Sequence, residues 1–587
     1  LRLLFDIETD NFVEHLTKIH CIAALNVDQP DQRWSFGPDK INDGIELLQS
    51  ASELIAHNGI CFDIPAIKKL YPSFSTHEMV VTDTLVLSRL LHADMKNEDA
   101  DRAFTGKTDF PKKYLGSHSL KAWGYRLGAL KGDFGETTDW SEWTPEMQSY
   151  CEQDVTVCHK LYEALAIQKW SKRAIDFEHK IAEICHRIGR SGWTFDTVNA
   201  GKLYGELAQE RADIDAELQD LFPAWTIDEE FIPKVNNSKR GYQKGVPFIK
   251  KHIVQFNPNS RKHIEYCLRQ KYNWKPKLFT PSGDAKVDES VLVNLPFPEA
   301  QKLARSFMLQ KRIGQLAEGN NAWLKLADDD GKLRHTINPM GTVTGRASSF
   351  GPNLQQVPAV RAAFGKQCRR LFTVPSGYQL VGSDLAGIEL RCLAHFLQDG
   401  GEFGREVCDG DIHQKNADMT GLSRDGAKTM VYALCYNAGD KRLGEIIGKG
   451  PKEGRALRDK FYKANPAFAD LLRQLDAVVE QRGYLIGLDG RRLTVRGHAK
   501  LNVLLQSAAA LIAKKWVELI DNAITEQGLP DTIVAWVHDE VQIQTKGDAD
   551  VTGLLAGRMA KEAGRHFNFE IPIEAEYKVG QNWADTH

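Results

Sequence analysis

The stretch Ile533 to Gln544, I-V-A-W-V-H-D-E-V-Q-I-Q, constrains this chain more than any other. Five apolar residues, Ile533 to Val537, run up to a polar tip. Beyond it Val541 and Ile543 alternate with Gln542 and Gln544. An unbroken apolar run predicts a buried strand, and a period-two alternation predicts a half-buried one. Together they predict a hairpin whose tip, His538-Asp539-Glu540, holds two adjacent acids. Such acids bind a divalent metal when another carboxylate comes close, and otherwise form a solvated turn. A second stretch favours the metal: Tyr378 to Ser383 reads as a strand ending at Asp384, followed by a helix, Ala386 to Phe396, that carries Glu389.

The N-terminal third repeats this pattern. Leu1 to Phe5 is an apolar strand ending in Asp6-Ile7-Glu8. Residues i and i+2 of a strand share a face, so both carboxylates can address one site. Leu54 to Gly59 reads as a strand running into a turn, and Asp63 opens an apparent helix. Asp83, before T-L-V-L-S, is expected to be a helix N-cap. Thr144-Pro145 opens a long helix, threonine as cap and proline at the first helical position. On it Tyr150 and Asp154 lie four apart and share a face. Taken singly, each feature is ordinary: a fraying strand, a cap, a surface pair.

In the middle, Lys169 to Ala174 reads as a linker. An amphipathic helix follows from Phe177, and a second helix runs from Thr197 to Leu221, together suggesting an arm. Between Glu230 and Glu265 there is no acid, while Lys234, Lys239, Arg240, Lys244, Lys250, Lys251, Arg261 and Lys262 accumulate. The expectation is a basic loop tracking phosphates. Lys311 and Arg312 add a basic corner. Further on, Thr344-Gly345-Arg346 sits in a polar loop, and Asp411-Ile412-His413 reads as another. Ser423 caps a helix through Tyr436, with Asn437 and Gly439 as stop signals. Arg424, Lys428 and Tyr432 fall at i, i+4 and i+8, a stripe suited to a triphosphate with a sugar or base beyond it.

Composition sets limits. At 587 residues the chain has room for three or more units. Its net charge of −3 supplies no global attraction for polyanions, so any such binding must be local. Ten cysteines without a C-x-x-C pair argue against a zinc site or disulfide scaffold and fit a reducing, cytoplasmic setting. No apolar run is long enough to suggest a membrane span. The sequence begins at Leu1 rather than Met, which leaves open whether a short segment precedes it.

In order and local setting, Asp6, Glu8, Asp63 and Asp154 with Tyr150 resemble the tyrosine-bearing branch of the DEDD-type 3′–5′ exonucleases. Asp384-Leu385-Ala386-Gly387-Ile388-Glu389-Leu390-Arg391, then Arg424-x3-Lys428-x3-Tyr432, then His538-Asp539-Glu540 resemble the three motifs of family A DNA polymerases. The wording of Gln310 to Glu318, Ala535 to Glu540 and Asn582-Trp583-Ala584 is similar to replicases of short-tailed phages of the T-seven type.

The resemblance implies an α/β multidomain chain. An RNase H-like exonuclease (1–168) is followed by thumb and linker (169–330), first palm segment (331–396), fingers (397–501) and second palm segment (502–587) of a right-hand polymerase. It implies two magnesium ions per active site, on Asp384, Leu385 (through its carbonyl) and Asp539, and on Asp6, Glu8 and Asp154. Asp63 and Glu540 are further catalytic acids, Glu540 less directly, and Tyr150 orients the attacking water. Arg424, Lys428 and His413 hold the dNTP phosphates, and Tyr432 stacks near the sugar and base. Glu389 excludes a ribose hydroxyl, and Tyr436 sits by the template base. Arg346, Gln506 and His538 touch primer–template DNA, as do Lys239, Arg240, Lys250, Lys251, Lys311 and Arg312. A helicase or primase is an expected partner of a monomeric enzyme without membrane contact.

Two departures stand out. Asn437 stands where glycine is common, and the insertion that docks thioredoxin in the T-seven enzyme is much shorter, so no thioredoxin partner is expected. A single-subunit RNA polymerase is disfavoured by Glu389 and the exonuclease acids. A nuclease with a DNA-binding C-terminal half is disfavoured by the complete set Asp384, Arg424, Lys428 and Asp539.

Overall fold

The computed structural model describes residues 1–104, 110–130, 132 and 134–587. The chain divides into two compact units. One comprises 1–193, 334–357 and 373–587, and the other 194–333 with 358–372.

The larger unit begins with a five-stranded sheet of order β3-β2-β1-β4-β5: β1 (Arg2–Thr9), β2 (Ile19–Asn26), β3 (Gln29–Phe36), β4 (Glu53–Ala56) and β5 (Val80–Asp83). β1 lies antiparallel to β2 and parallel to β4. Its alternation sorts the side chains. Leu3, Phe5 and Ile7 join one buried cluster with Ile64 and Ile67 of α1 (Asp63–Leu70). Leu4 packs in another with Met147, Cys151 and Val155 of α3 (Pro145–Leu165). Asp6 and Glu8 share the parity of Leu4 and belong to the α3 side. Both acids lie inside β1 rather than past its end. Between β5 and α3, Asp83 caps α2 (Thr84–Leu91), accepting from the backbone of Leu85 and Val86. Thr144 caps α3 as expected, and α4 (Lys172–Ser191) follows.

The smaller unit contains α5 (Thr197–Leu221), a two-stranded hairpin of β6 (Trp225–Phe231) and β7 (Phe248–Val254), α6 (Arg261–Tyr272) and α7 (Pro298–Ile313). The expected basic loop is thus largely a hairpin. Its exposed faces lack the buried alternation that marks a strand in sequence. Pairing also sets Asp228 opposite Lys251 and Glu229 opposite Lys250. Part of the acid-free stretch therefore meets acids across the strands, while the connecting turn, with Lys234, Lys239, Arg240 and Lys244, has no cross-strand acid, and Arg261 and Lys262 begin α6. Arg312 also departs from expectation. It is buried, and its guanidinium donates to the Ala363 carbonyl and to Gln315 Oε1, which makes it a packing residue. Lys311 is exposed.

The larger unit resumes with β8 (Gln379–Leu385), α8 (Ile388–Leu397), α9 (Ile412–Thr420), α10 (Arg424–Cys435), a hairpin of β9 (Tyr484–Ile486) and β10 (Arg492–Thr494), and α11 (Lys500–Gln527). It continues with β11 (Asp531–Val537), β12 (Glu540–Thr545) and β13 (Ala575–Gly580). The antiparallel sheet order is β11-β12-β8-β13. Val381 and Leu385 of β8 and Val541 and Ile543 of β12 point into one core with α11. Gly382 faces the other way: a Cβ there would meet the Thr586 carbonyl at 2.7 Å, so the segment Trp583–Thr586 crosses that face closely. Among the described residues no helix is long and apolar enough to cross a membrane.

Candidate active sites

Val537 pairs with Glu540, so the β11–β12 hairpin turns on two residues, His538-Asp539, and Glu540 is already in the strand. His538 adopts the left-handed φ of 60° that so tight a turn demands. Leu385 N donates to the Asp539 carbonyl at 3.0 Å, tying the end of β8 to this turn. Asp384 and Asp539 are thereby neighbours. Partial desolvation, then repulsion from Asp539 and Glu540, lifts the Asp384 carboxyl to about 7. Desolvation also raises that of Asp539. Glu540 adds charge, but its Oε1 accepts from Trp583 Nε1 at 2.5 Å and Gln542 Nε2 at 2.6 Å, and His587 Nδ1 lies 3.2 Å from its other oxygen. It is a buttress rather than an open ligand.

Around this pair the helices deliver the remaining side chains. Arg346 Nη2 donates to Glu389 Oε1 at 2.7 Å, and the Tyr436 hydroxyl donates to the same oxygen at 2.8 Å. Thr344 Oγ1 donates to Gln506 Oε1 at 3.3 Å. Arg346, His538 and Asp539 line one cavity of about 180 Å³ floored by Ala509 and Ala513 of α11. Tyr432 is half-buried, and its phenol is pushed up by burial and by the charges of Glu389 and, more weakly, Asp539. Asn437 ends α10 with φ of 57°, a left-handed conformation asparagine tolerates; this explains how it replaces glycine there.

The expected loop at Asp411 is instead a cap. Its carboxylate accepts from the backbone of His413 and Gln414 and starts α9. The same carboxylate takes Arg424 Nε at 2.7 Å. His413 faces Lys428 and Arg424, and its imidazole is held below its ordinary value by burial and by both cations. A patch of positive charge therefore stands at the N-terminal end of α10, with Tyr432 one turn beyond Lys428.

The N-terminal acids converge as well. Asp6, Glu8 and Cys151 present ligand atoms within 4.8 Å of one another. Ile7 N donates to Asp63 Oδ1 at 3.3 Å, pinning the start of α1 to β1 between the two acids. Burial, then the charges of Asp83 and Asp154, lift the Asp63 carboxyl to about 7. Tyr150 packs against Phe134 with the rings tilted at 42° and their centroids 5.4 Å apart. It borders a cavity of about 1060 Å³ that also takes in Asn58, Arg89, Lys121 and Asn338. Cys151, three residues before Asp154 on α3, was not singled out by sequence, although that spacing puts the two on one face. Lys239, Arg240, Lys250, Lys251, Lys311 and Arg312 belong to the smaller unit and are not among the residues gathered here.

Carboxylates crowded against one another's charge are a donor set suited to hard divalent cations, and both clusters meet that description.

The family model for DNA polymerase family A matches residues 237–585, and that for the RNase H superfamily matches residues 3–166. The chain is 35% identical to the DNA-directed DNA polymerase of Enterobacteria phage T3 and 34% identical to that of Escherichia phage T7, the alignments covering 100% of this chain and 100% of each relative. The T3 alignment runs to 708 positions against 587 residues here, so that relative carries insertions. DNA polymerase I of Pseudomonas aeruginosa is 25% identical over 92% of this chain and 56% of its own length. Among solved structures, the POL domain of Pol1 from M. smegmatis, in complex with DNA primer-template and dNTP, aligns over 100% of this chain and 96% of its own, with TM-score 0.74 at 18% identity.

Proposed function

The chain belongs to DNA polymerase family A and carries an RNase H-like exonuclease domain; on that premise we propose that it extends a DNA primer on a template from dNTPs and removes misincorporated 3′ ends, as a phage replicase does. The observation that carries this reading is the pairing of Asp384 with Asp539 beside the Arg346–Glu389–Tyr436 cluster. Residues 1–168 are assigned to the exonuclease, 169–330 to thumb and linker, 331–396 and 502–587 to palm, and 397–501 to fingers.

Magnesium ions, two per site, held by Asp384, Asp539 and the Leu385 carbonyl and by Asp6, Glu8 and Asp154, would supply Lewis-acid activation of the attacking oxygen and neutralise the departing one. The protein's own groups do the rest. Arg424, Lys428 and His413 place fixed positive charge where the triphosphate's negative charge develops. Asp411 holds Arg424 in place for that contact. Tyr432 offers a ring to the incoming sugar and base. Glu389, gripped by Arg346 and Tyr436, fills the space a ribose 2′-hydroxyl needs. Arg346, Gln506 and His538 contact primer–template DNA independently of sequence, and Tyr436 sits by the template base. In the exonuclease, Tyr150 orients water, Asp63 supports the Asp6–Glu8 strand and adds its negative charge to the catalytic acids, and the large cavity admits an unpaired strand along Arg89 and Lys121.

Incorporation of a single labelled dNTP on a primer–template, compared with the matching rNTP, tests the reading. Asp384→Ala or Asp539→Ala should abolish incorporation and spare degradation of single-stranded DNA. Wild-type-like extension by either variant, or loss of both activities in a folded protein, would contradict it.

A further inference from the structure

Four charged side chains are buried together beneath the loop that carries Arg346. Glu178 on α4 and Lys514 on α11 have fully buried side chains, and Asp489 and Arg491, in the turn between β9 and β10, are nearly so. Arg491 Nη2 donates to Glu178 Oε1 and to Asp489 Oδ2, each at 2.6 Å. Lys514 Nζ donates to the same Glu178 oxygen at 2.5 Å. The charges cancel, two against two. Burial pulls the Lys514 ammonium below its ordinary value, while Glu178 opposes that pull. Such networks are poor stabilisers, because well-packed apolar residues often serve as well or better. Their geometry is the more informative property.

Both cations touch the sulfur of Met340: Arg491 Nη1 at 3.4 Å and Lys514 Nζ at 3.5 Å. Met340 begins the loop. Gly341 N donates to the Arg346 carbonyl at 2.9 Å, and Arg346 N donates to Thr342 Oγ1 at 3.1 Å, so residues 341–346 form a closed turn. Gly345 has a φ of 82°, and a Cβ there would stand 3.1 Å from Arg491 Nη1. The turn therefore rests on the guanidinium. From its upper side Thr344 reaches Gln506 and Arg346 reaches Glu389.

We propose that Arg491, held by Glu178, Asp489 and Lys514, is a positioning residue that sets the height of the 340–346 loop and through Arg346 fixes Glu389 for sugar selection. The inference rests on the roles given above to Arg346 and Glu389. Arginine suits the task because its planar fork meets Asp489, Glu178 and the loop at once, whereas lysine keeps the charge and loses the fork.

The test is a double-mutant cycle in the full chain with Arg491→Lys, Arg346→Ala and both. The readouts are incorporation efficiency with dATP against ATP, degradation of single-stranded DNA, and the melting midpoint. Arg491→Lys should lower dATP-over-ATP selectivity about tenfold, the scale of one misplaced charge-assisted hydrogen bond. Degradation should stay near wild type, while melting falls because lysine leaves the buried Glu178 and Asp489 short of donors. Added to Arg346→Ala, the change should cost no further selectivity, because the two act in series. Met340→Leu, which keeps volume and removes the sulfur acceptor, should shift selectivity in the same direction and decides the matter if Arg491→Lys does not fold. Full additivity, unchanged selectivity, or a parallel fall of selectivity, degradation and melting would overturn the inference. If Arg346→Ala itself leaves extension and selectivity intact, the role of Arg346 falls first and takes the inference with it.

Discussion

Replacing Asp63 by asparagine keeps the side chain's shape and leaves an oxygen for Ile7 N, but removes a charge the fold holds in an unfavourable place. Asp63 is 2% exposed. Burial, with Asp83 and Asp154 adding repulsion, carries its carboxyl from 3.8 to about 7. The folded state thus prefers the protonated form: the stability contribution is complete below about pH 4 and is lost as pH rises through about 7. At ~1.4 kcal/mol per tenfold, a rise of that size amounts to about 4 kcal/mol. Because neighbouring acids share the effect, about 2 kcal/mol is expected from the one substitution. Near pH 8 in EDTA, Asp63→Asn should raise the melting of this domain by about 6 °C, taking about 2–4 °C per kcal/mol at this size. At pH 5 less than half of that gain should remain. Magnesium should raise the midpoint of wild type more than that of the variant. The assay is scanning calorimetry of the full chain, paired with degradation of a single-stranded 3′ end, which the variant should lose while still extending primers. Equal melting at pH 8, or the same gain at both pH values, would refute the reasoning.

Other expectations follow from the same geometry. Asp6→Ala with Glu8→Ala should remove 3′–5′ degradation, by well over a hundredfold in order of magnitude if both metal contacts are lost, and leave extension intact; a mismatched-end assay checks both. Tyr432→Phe should sharpen discrimination against dideoxynucleotides, because the phenol hydroxyl can stand in for the missing sugar hydroxyl; competition of ddNTP against dNTP in both proteins reads this out, and identical ratios would count against it. Neutralising Lys234, Lys239, Arg240 and Lys244 should flatten the log K against log salt slope for duplex DNA by up to ~0.9 per contact. Neutralising Lys250 and Lys251, which face acids across the hairpin, should flatten it less, and added thioredoxin should not lengthen the products.

Local chemistry made much of this fold legible. Helix starts at Thr144 and Ser423 were readable because a cap and the backbone it satisfies lie within three residues. The facing of Asp6 and Glu8 was readable because strand alternation is fixed at two. The rest depended on pairing between distant segments. Nothing near Lys250 and Lys251 shows that Asp228 and Glu229 will face them, and nothing near Arg312 shows that the Ala363 carbonyl will claim its guanidinium. Asp411 did carry a local signal, an acid ahead of I-H-Q-K-N-A, but with so little apolar patterning behind it the cap resembled a loop.

The two acid clusters share a physical logic that no single motif reveals. In each, a strand brings acid to an edge of a packed core, Asp6 and Glu8 in one case and Asp384 in the other, and further elements bring acids beside it: α1 and α3 in the first, the β11–β12 turn in the second. Both placements oppose ionisation, lifting Asp63 and Asp384 to about 7. A protein selected only for stability would fill such positions with amides or apolar groups. Keeping acids there makes the fold less stable at neutral pH, and a bound cation would relieve the repulsion, which would link metal affinity and folding stability through the same side chains. Arg346 and Lys428 do not substitute for that cation. Arg346 lies close enough to ease the Asp539 charge but its guanidinium is engaged by Glu389, and Lys428 faces His413, so a metal at Asp384 and Asp539 would still have charge to neutralise.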